Sequence, residues 1–202
     1  MRGTSMSPVV EAWSTCRTSS AQDWPADRLL QAKGRATVSV VIPARDEEAT
    51  VGAIATAIRG ALIQTVPLVD EVIVVDSRSA DSTAAAAQAA GATVVSQDDM
   101  VRGLPPMDGK GGAMWAGLAA ASGDIVAFID ADVDPFDPRF VTGLLGPLLT
   151  DPAISFVKGF YHRPLTSGGY SEPDGGGRVT ELLARPLLNL FWPDLAGFVQ
   201  PL

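Results

Sequence analysis

The chain has 202 residues, 47% of them hydrophobic, and a formal net charge of −8. That length suffices to bury the core of one domain, while the acidic balance argues against general affinity for nucleic acid or an anionic membrane surface. A single cysteine, Cys16, leaves no internal disulfide framework, and a single histidine, His162, leaves no multi-histidine zinc site within the chain.

Residues 1–36 show no sustained period and are expected to form an N-terminal arm, with Met6 as an alternative start. Within it, a short helix is expected from Trp24-Pro25 through Lys33, with Leu29 and Leu30 packing on the main body. From Thr37 onward strand and helix patterns alternate, and residues 37–165 are expected to form one α/β domain. Val38–Ile42 reads as a strand cut off by Pro43, and Glu47–Gly60 as a helix with acidic residues in its first turn. Asp70–Asp76 is a second strand, followed by an Ala-rich helix to Ala90, capped by Asp81 or Ser82 and ended by Gly91. Thr93–Ser96 is a third strand, residues 97–109 a functional-length loop, and Lys110–Ala121 a helix.

Asp124-Ile-Val-Ala-Phe-Ile-Asp130-Ala131-Asp132 then reads as a strand buried on both faces that ends in two carboxylates. Asp137-Pro138 opens a helix through Leu149, Ile154–Tyr161 reads as a strand, and residues 166–177 as a Gly-rich loop. A last helix is expected from near Arg178 toward Asn189, bent or interrupted at Pro186. Strands alternating with helices imply a doubly wound, mostly parallel sheet, an architecture that binds ligands beyond the carboxyl ends of its strands.

The turns at those ends carry the chemistry. Pro43-Ala44-Arg45-Asp46-Glu47-Glu48 lacks the G-x-G-x-x-G of a dinucleotide fold, which argues against a dehydrogenase. Gly109-Lys110-Gly111 is not a P-loop, because no Ser or Thr follows the lysine. Asp76 and Ser77 end the second strand, where they are placed to meet a nucleoside; the plainer alternative is a polar turn before a helix cap. Lys110 at a helix start suits a diphosphate, against the alternative of a solvated hinge. Residues i and i+2 of an extended segment share a side, so Asp130 and Asp132 are expected to share Mg²⁺ or Mn²⁺. Taken alone, an Asp-x-Asp is weak evidence, and a solvated turn is the favoured reading.

Together Val38–Ala44 with Glu47, Val75-Asp76-Ser77, Gly109-Lys110-Gly111 and Asp130-Ala131-Asp132 resemble the GT-A glycosyltransferases that use nucleotide-sugar donors. Val157–Leu165, Gly175–Leu188 and Gln200-Pro201-Leu202 are similar to the glucosyl-3-phosphoglycerate synthases and their mannosyl counterparts. The resemblance implies a cytoplasmic, metal-dependent hexosyltransferase. It would move glucose from UDP- or GDP-glucose to 3-phosphoglycerate with retention at the anomeric carbon. It implies donor binding by Pro43, Ala44, Glu47, Asp76, Ser77, Lys110, Asp130 and Ala131, and metal binding by Asp130 and Asp132. It makes residues 166–202 the start of an incomplete acceptor-binding region, places the acceptor on Gly177, Arg178 and Thr180, and suggests a homodimer. The family continues past the Gln-Pro-Leu segment into a Gly-Glu loop and a metal-completing histidine, so the chain reads as C-terminally truncated. Arg45-Asp46 departs from the family's Leu-Asn pair. A polyprenyl-phosphate glycosyltransferase and a non-catalytic nucleotide-binding fragment remain as alternatives, the first disfavoured by the lack of an apolar stretch of roughly 20 residues.

Overall fold

The computed structural model describes residues 8–99, 107–159, 165–167, 170–172, 183 and 185–192. The elements in chain order begin with α1 (Pro8–Arg17), α2 (Ala26–Lys33), β1 (Val38–Ala44), α3 (Val51–Arg59), β2 (Glu71–Asp76), α4 (Thr83–Ala89) and β3 (Thr93–Ser96). They continue with α5 (Gly109–Ala120), β4 (Ile125–Phe128), α6 (Arg139–Thr150), β5 (Leu165–Ser167), β6 (Tyr170–Glu172) and α7 (Arg185–Phe191). The chain divides into two compact units, one spanning Ala21–Val157, the other comprising Met1–Ser20 and Lys158–Leu202. Among the described residues no helix is long and apolar enough to cross a membrane.

The larger unit is built on a sheet of order β3-β2-β1-β4 in which every pairing is parallel. Side chains alternate across it, and both faces are apolar. Val38, Val40, Ile42 and Ala44 of β1, with Val72 and Val74 of β2, pack in one cluster with Val51, Ile54 and Ile58 of α3. Val141 and Leu145 of α6 and Leu29 of α2 join that cluster. Val41, Ile73 and Val75 point the other way, against Ala113 and Ala116 of α5. Helices on both faces of a parallel sheet make the doubly wound architecture that the alternating pattern implies. Chain order runs outward from β1 through β2 to β3, then returns to β1's other side for β4. The strand order therefore reverses between β1 and β4, and the carboxyl ends of those two strands flank the crevice where such sheets place ligands.

Several elements differ from the sequence expectation. β1 does not stop at Pro43 but runs to Ala44, with Pro43 opposite Val75 of β2. Even-numbered residues of β1 turn their backbone toward β2 (Ser77 N donates to Ala44 O), and odd-numbered ones toward β4 (Ile129 N donates to Val41 O). Pairing with β4 has ended before Pro43, so its missing N–H leaves no gap in the ladder. β4 is an edge strand of the described sheet and only partly buried, not a central strand buried on both faces. An apolar run of four or five residues does not distinguish the two.

Glu47 and Glu48 are not in a helical first turn. They lie in a turn that precedes α3, which then continues as a π-helical turn from Gly60 to Thr65. Ile154–Gly159 forms no ladder, and Phe156 is 69% exposed; Phe160 and Tyr161 lie outside the described residues. The alternation there supplies strand propensity, but none of the described edges takes it.

In the smaller unit, β5 and β6 pair antiparallel within what reads as a Gly-rich loop. Gly168-Gly169 between them is a two-residue hairpin signal that an unstructured reading overlooks. Pro186 sits in the first turn of α7, where a missing N–H is tolerated. The expected helix start near Arg178 lies outside the described residues.

The sheet's amino edge is closed by polar side chains. Glu71 accepts from Ser39 Oγ at 2.6 Å and from the Ser122 amide at 2.7 Å. Burial raises the Glu71 carboxyl's pKa, but these donors outweigh it and hold the group below its ordinary value. Lys33, itself buried, pairs with Asp70 at 2.6 Å, and Asp70 also accepts from the Val38 amide at 2.7 Å. These contacts fix the ends of the strands farthest from the candidate site.

Candidate functional site

The carboxyl edge is organised by three turns that exchange hydrogen bonds. Asp46, directly after β1, has φ 56°, and Arg78, in the matching place after β2, has φ 58°. Left-handed backbone is uncommon for residues other than glycine and persists where surrounding contacts hold it. Here the contacts are reciprocal. The Asp46 amide donates to Ser79 Oγ at 3.0 Å, and Asp46 Oδ1 accepts from the Ala80 amide at 2.6 Å. The Glu48 amide donates to Asp81 Oδ2 at 3.1 Å, while Glu48 Oε2 accepts from the Ser82 amide at 2.8 Å. The Glu47 amide donates to Thr83 Oγ1 at 2.7 Å. Glu48 is thereby committed to structure.

Asp81 does serve the start of α4: it accepts from the Thr83 amide and hydroxyl, which hold its carboxyl below the ordinary range. Ser82 makes no cap hydrogen bond.

Into this frame fall the expected donor residues. Pro43 and Ala44 end β1, Ala44 directly across from Asp76 at the end of β2. Asp76 Oδ1 is buried and has no hydrogen-bond partner among the described residues. A buried acceptor without a donor is costly, and such atoms mark places where a ligand donor is missing. Ser77 is 8% exposed and donates from its hydroxyl to Gln97 Oε1 at 2.5 Å; Gln97 Nε2 in turn donates to the Met107 carbonyl. Gln97 is a residue that sequence reasoning missed. It ties the turn after β2 to the segment that leads into α5.

α5 begins on Gly109, whose φ of 76° admits a side chain only with strain. The next residue, Lys110, extends its ammonium to Asp130 Oδ1 at 2.6 Å. Both groups are well exposed (62% and 38%), so the pair contributes little to stability and is readily exchanged for other partners. The structure thus brings Lys110 and Asp130 together across the crevice. Asp108, at the N-cap position of α5, makes no cap hydrogen bond, which leaves the first amides of that helix without a side-chain partner among the described residues.

The Asp130–Asp132 segment lies beyond the end of β4, in a turn rather than on an extended strand. The alternation that would place both carboxylates on one side therefore does not apply. What fixes the turn is Thr50 Oγ1, which donates to the carbonyl of Ala131 at 2.6 Å; Ala131 itself is buried, Asp130 partly exposed and Asp132 exposed. Thr50 also reaches Glu47 Oε2 at 3.3 Å, so the first turn supports both Glu47 and the aspartates. Gly177, Arg178 and Thr180 lie outside the described residues.

Among the described residues no three His, Cys, Asp or Glu side chains gather into a metal cage. Two carboxylates fit one kind of ion: Mg²⁺ or Mn²⁺, which is held by one or two carboxylates and completes its shell with water and substrate phosphate oxygens. Among the described residues at this edge, Glu47, Asp76, Asp130 and Asp132 outnumber the cations even with Arg45 and Arg78 counted beside Lys110. A diphosphate would meet net negative charge there unless a cation accompanied it.

The family model described as glycosyl transferase family 2 matches residues 39–199. The chain is 49% identical over 190 residues to a glucosyl-3-phosphoglycerate synthase of Mycolicibacterium smegmatis, covering 94% of this chain and 62% of that protein. It is 41% identical over 173 residues to the glucosyl-3-phosphoglycerate synthase of Petrotoga mobilis, covering 86% of this chain and 53% of the other. Among solved structures, mannosyl-3-phosphoglycerate synthase from Rubrobacter xylanophilus superposes with a TM-score of 0.83 at 44% identity, over 95% of this chain and 60% of that one. Glucosyl-3-phosphoglycerate synthase from Mycobacterium tuberculosis, in complex with Mn²⁺, UDP and glucosyl-3-phosphoglycerate, gives 0.76 at 45% identity over 92% and 61%. The chain therefore spans roughly three fifths of the length of these relatives. With a family model matching most of its length, the chain belongs to glycosyl transferase family 2.

Proposed function

We propose that the chain carries the donor half of a metal-dependent hexosyltransferase that moves glucose from UDP-glucose to 3-phosphoglycerate with retention at the anomeric carbon. The observation that carries the reading is the juxtaposition of an unsatisfied buried acceptor, Asp76 Oδ1, with the Lys110–Asp130 pair on one sheet edge. A nucleoside seated against Pro43, Ala44 and Ser77 offers Asp76 the donor it lacks. Its diphosphate lies against Lys110 and the open amides at the start of α5. Lys110 then leaves Asp130 for the phosphate, which frees that carboxylate to join Asp132 in holding Mg²⁺ or Mn²⁺. The ion supplies electrostatic stabilisation of the charge that develops on the departing nucleotide. Glu47, steadied by Thr50, borders the same crevice. Gly177, Arg178 and Thr180 are proposed for the acceptor, a guanidinium fork being suited to a phosphate. The similarity to proteins crystallised with Mn²⁺, UDP-glucose and phosphoglyceric acid supports the choice of donor and acceptor.

The test is direct. Calorimetric titration of the chain with UDP-glucose and Mn²⁺ is expected to give binding that disappears on chelation and exceeds that of GDP-glucose. Product formed with 3-phosphoglycerate is expected to show the donor's anomeric configuration by NMR. Absence of metal-dependent binding would remove the donor reading; 3-phosphoglycerate binding left unchanged by Arg178→Ala would remove the acceptor assignment.

A further inference from the structure

Asp108 is a favoured residue type at an N-cap, yet its carboxylate does not cap α5. It is held instead by Arg78, whose Nη1 donates to Asp108 Oδ1 at 2.6 Å. The same guanidinium grips Asp98 in a bidentate pair, Nε to Oδ2 at 2.9 Å and Nη2 to Oδ1 at 2.8 Å. The two carboxylates raise the guanidinium's pKa above its ordinary range, so it stays charged. We propose that Arg78 is a positioning residue that draws Asp108 away from the amino end of α5 and so keeps that helix end open to the donor's diphosphate. This rests on the donor reading above.

The physical choice is between two partners for one carboxylate. An N-cap aspartate free of other bonds accepts from the amides one turn into its helix, the same donors a phosphate would use. It would also set a negative charge where the phosphate must lie. Bound to Arg78, the carboxylate is turned aside and its charge partly offset by a guanidinium shared with Asp98. Asp98 orients the guanidinium, since its two bonds set the plane and leave Nη1 for Asp108. The nucleoside turn does not depend on Arg78's side chain. Ser77 is held through its amide to Ala44 O at 2.8 Å and its hydroxyl to Gln97 at 2.5 Å.

Arg78→Gly tests the idea, because glycine adopts the φ of 58° without strain and keeps the turn while removing the guanidinium. The expected result is about a fivefold loss of UDP affinity in the presence of Mn²⁺, the scale of one charge at a helix end. Affinity for uridine, followed by NMR titration, is expected to stay at the wild-type value. Adding Asp108→Ala to Arg78→Gly is expected to restore UDP binding, an outcome that a merely structural role for Arg78 would not give. UDP affinity unchanged in Arg78→Gly, or lost without rescue by Asp108→Ala, overturns the proposal alone. Failure of the wild-type chain to bind UDP overturns the donor reading and this proposal with it. Should Arg78→Gly fail to fold, Asp98→Asn, which loosens the guanidinium without touching the turn, is expected to weaken UDP binding while sparing uridine, and equal affinity for UDP would count against the proposal.

Discussion

Asp132→Ala is expected to abolish the Mn²⁺ dependence of UDP-glucose binding, lowering apparent metal affinity by about 100-fold or more. Loss of groups that only orient a metal's ligands already costs 10–100-fold, and a direct ligand has more to lose. The residue is exposed and lies in a turn fixed by Thr50 through the carbonyl of Ala131, so removing its carboxylate leaves the fold intact. Asp137→Ala is the suitable control. That carboxylate sits on the following segment but is engaged with the Arg139 amide at 2.8 Å and the Arg139 guanidinium. Calorimetry of both variants with UDP-glucose, over a series of Mn²⁺ concentrations, separates a ligand from a generally acidic surface. Wild-type metal dependence in Asp132→Ala would contradict the assignment.

Gly117→Val is expected to destabilise the larger unit by about 3 kcal/mol, near the upper end for overpacked cores, and to lower its melting temperature by about 10 °C. A Cβ on Gly117 would fall 2.3 Å from Val41 Cγ1 and 3.0 Å from Val75 Cγ2, both on buried strands at the centre of the sheet. Only glycine lets α5 lie this close, and α5 is the helix that carries Lys110 to the crevice. Val41→Ala in the same background should recover part of the loss, since the two positions compete for one volume. Scanning calorimetry of the single and double variants measures this coupling. A melting temperature unaffected by Gly117→Val would mean that the helix does not pack as described.

The periodic parts of the chain are those that the sequence reveals best. β2, β3, α5 and α6 fall within one or two residues of where alternation, glycine and proline place them, because local propensity and burial agree there. Asp76, Lys110 and Asp130 are legible for a related reason: each ends or begins a periodic element, and the fold gathers such ends on one edge. Long-range pairing is where sequence falls short. Thr50 and Ala131 are 81 positions apart, Arg78 and Asp108 are 30 apart, and nothing in composition or spacing joins either pair. Gln97 reads as one more polar loop residue until Ser77 and Met107 appear on either side of it. Pro43 shows the opposite failure. Taken alone it ends a strand, and only the register of β1 against two neighbours reveals that its missing donor is not needed. The sideways placement of β4 and the turn around Asp132 likewise depend on neighbours that a linear reading does not supply.

The central claim is that Asp130 and Asp132 hold a divalent cation against the diphosphate of a sugar nucleotide. Anomalous scattering from crystals grown with Mn²⁺ and UDP tests it most directly. A manganese peak with oxygens of both aspartates and of the diphosphate within about 2.1 Å, and with Lys110 moved from Asp130 to phosphate, is the predicted result. Bound UDP with both carboxylates turned to solvent and no manganese beside them would contradict it.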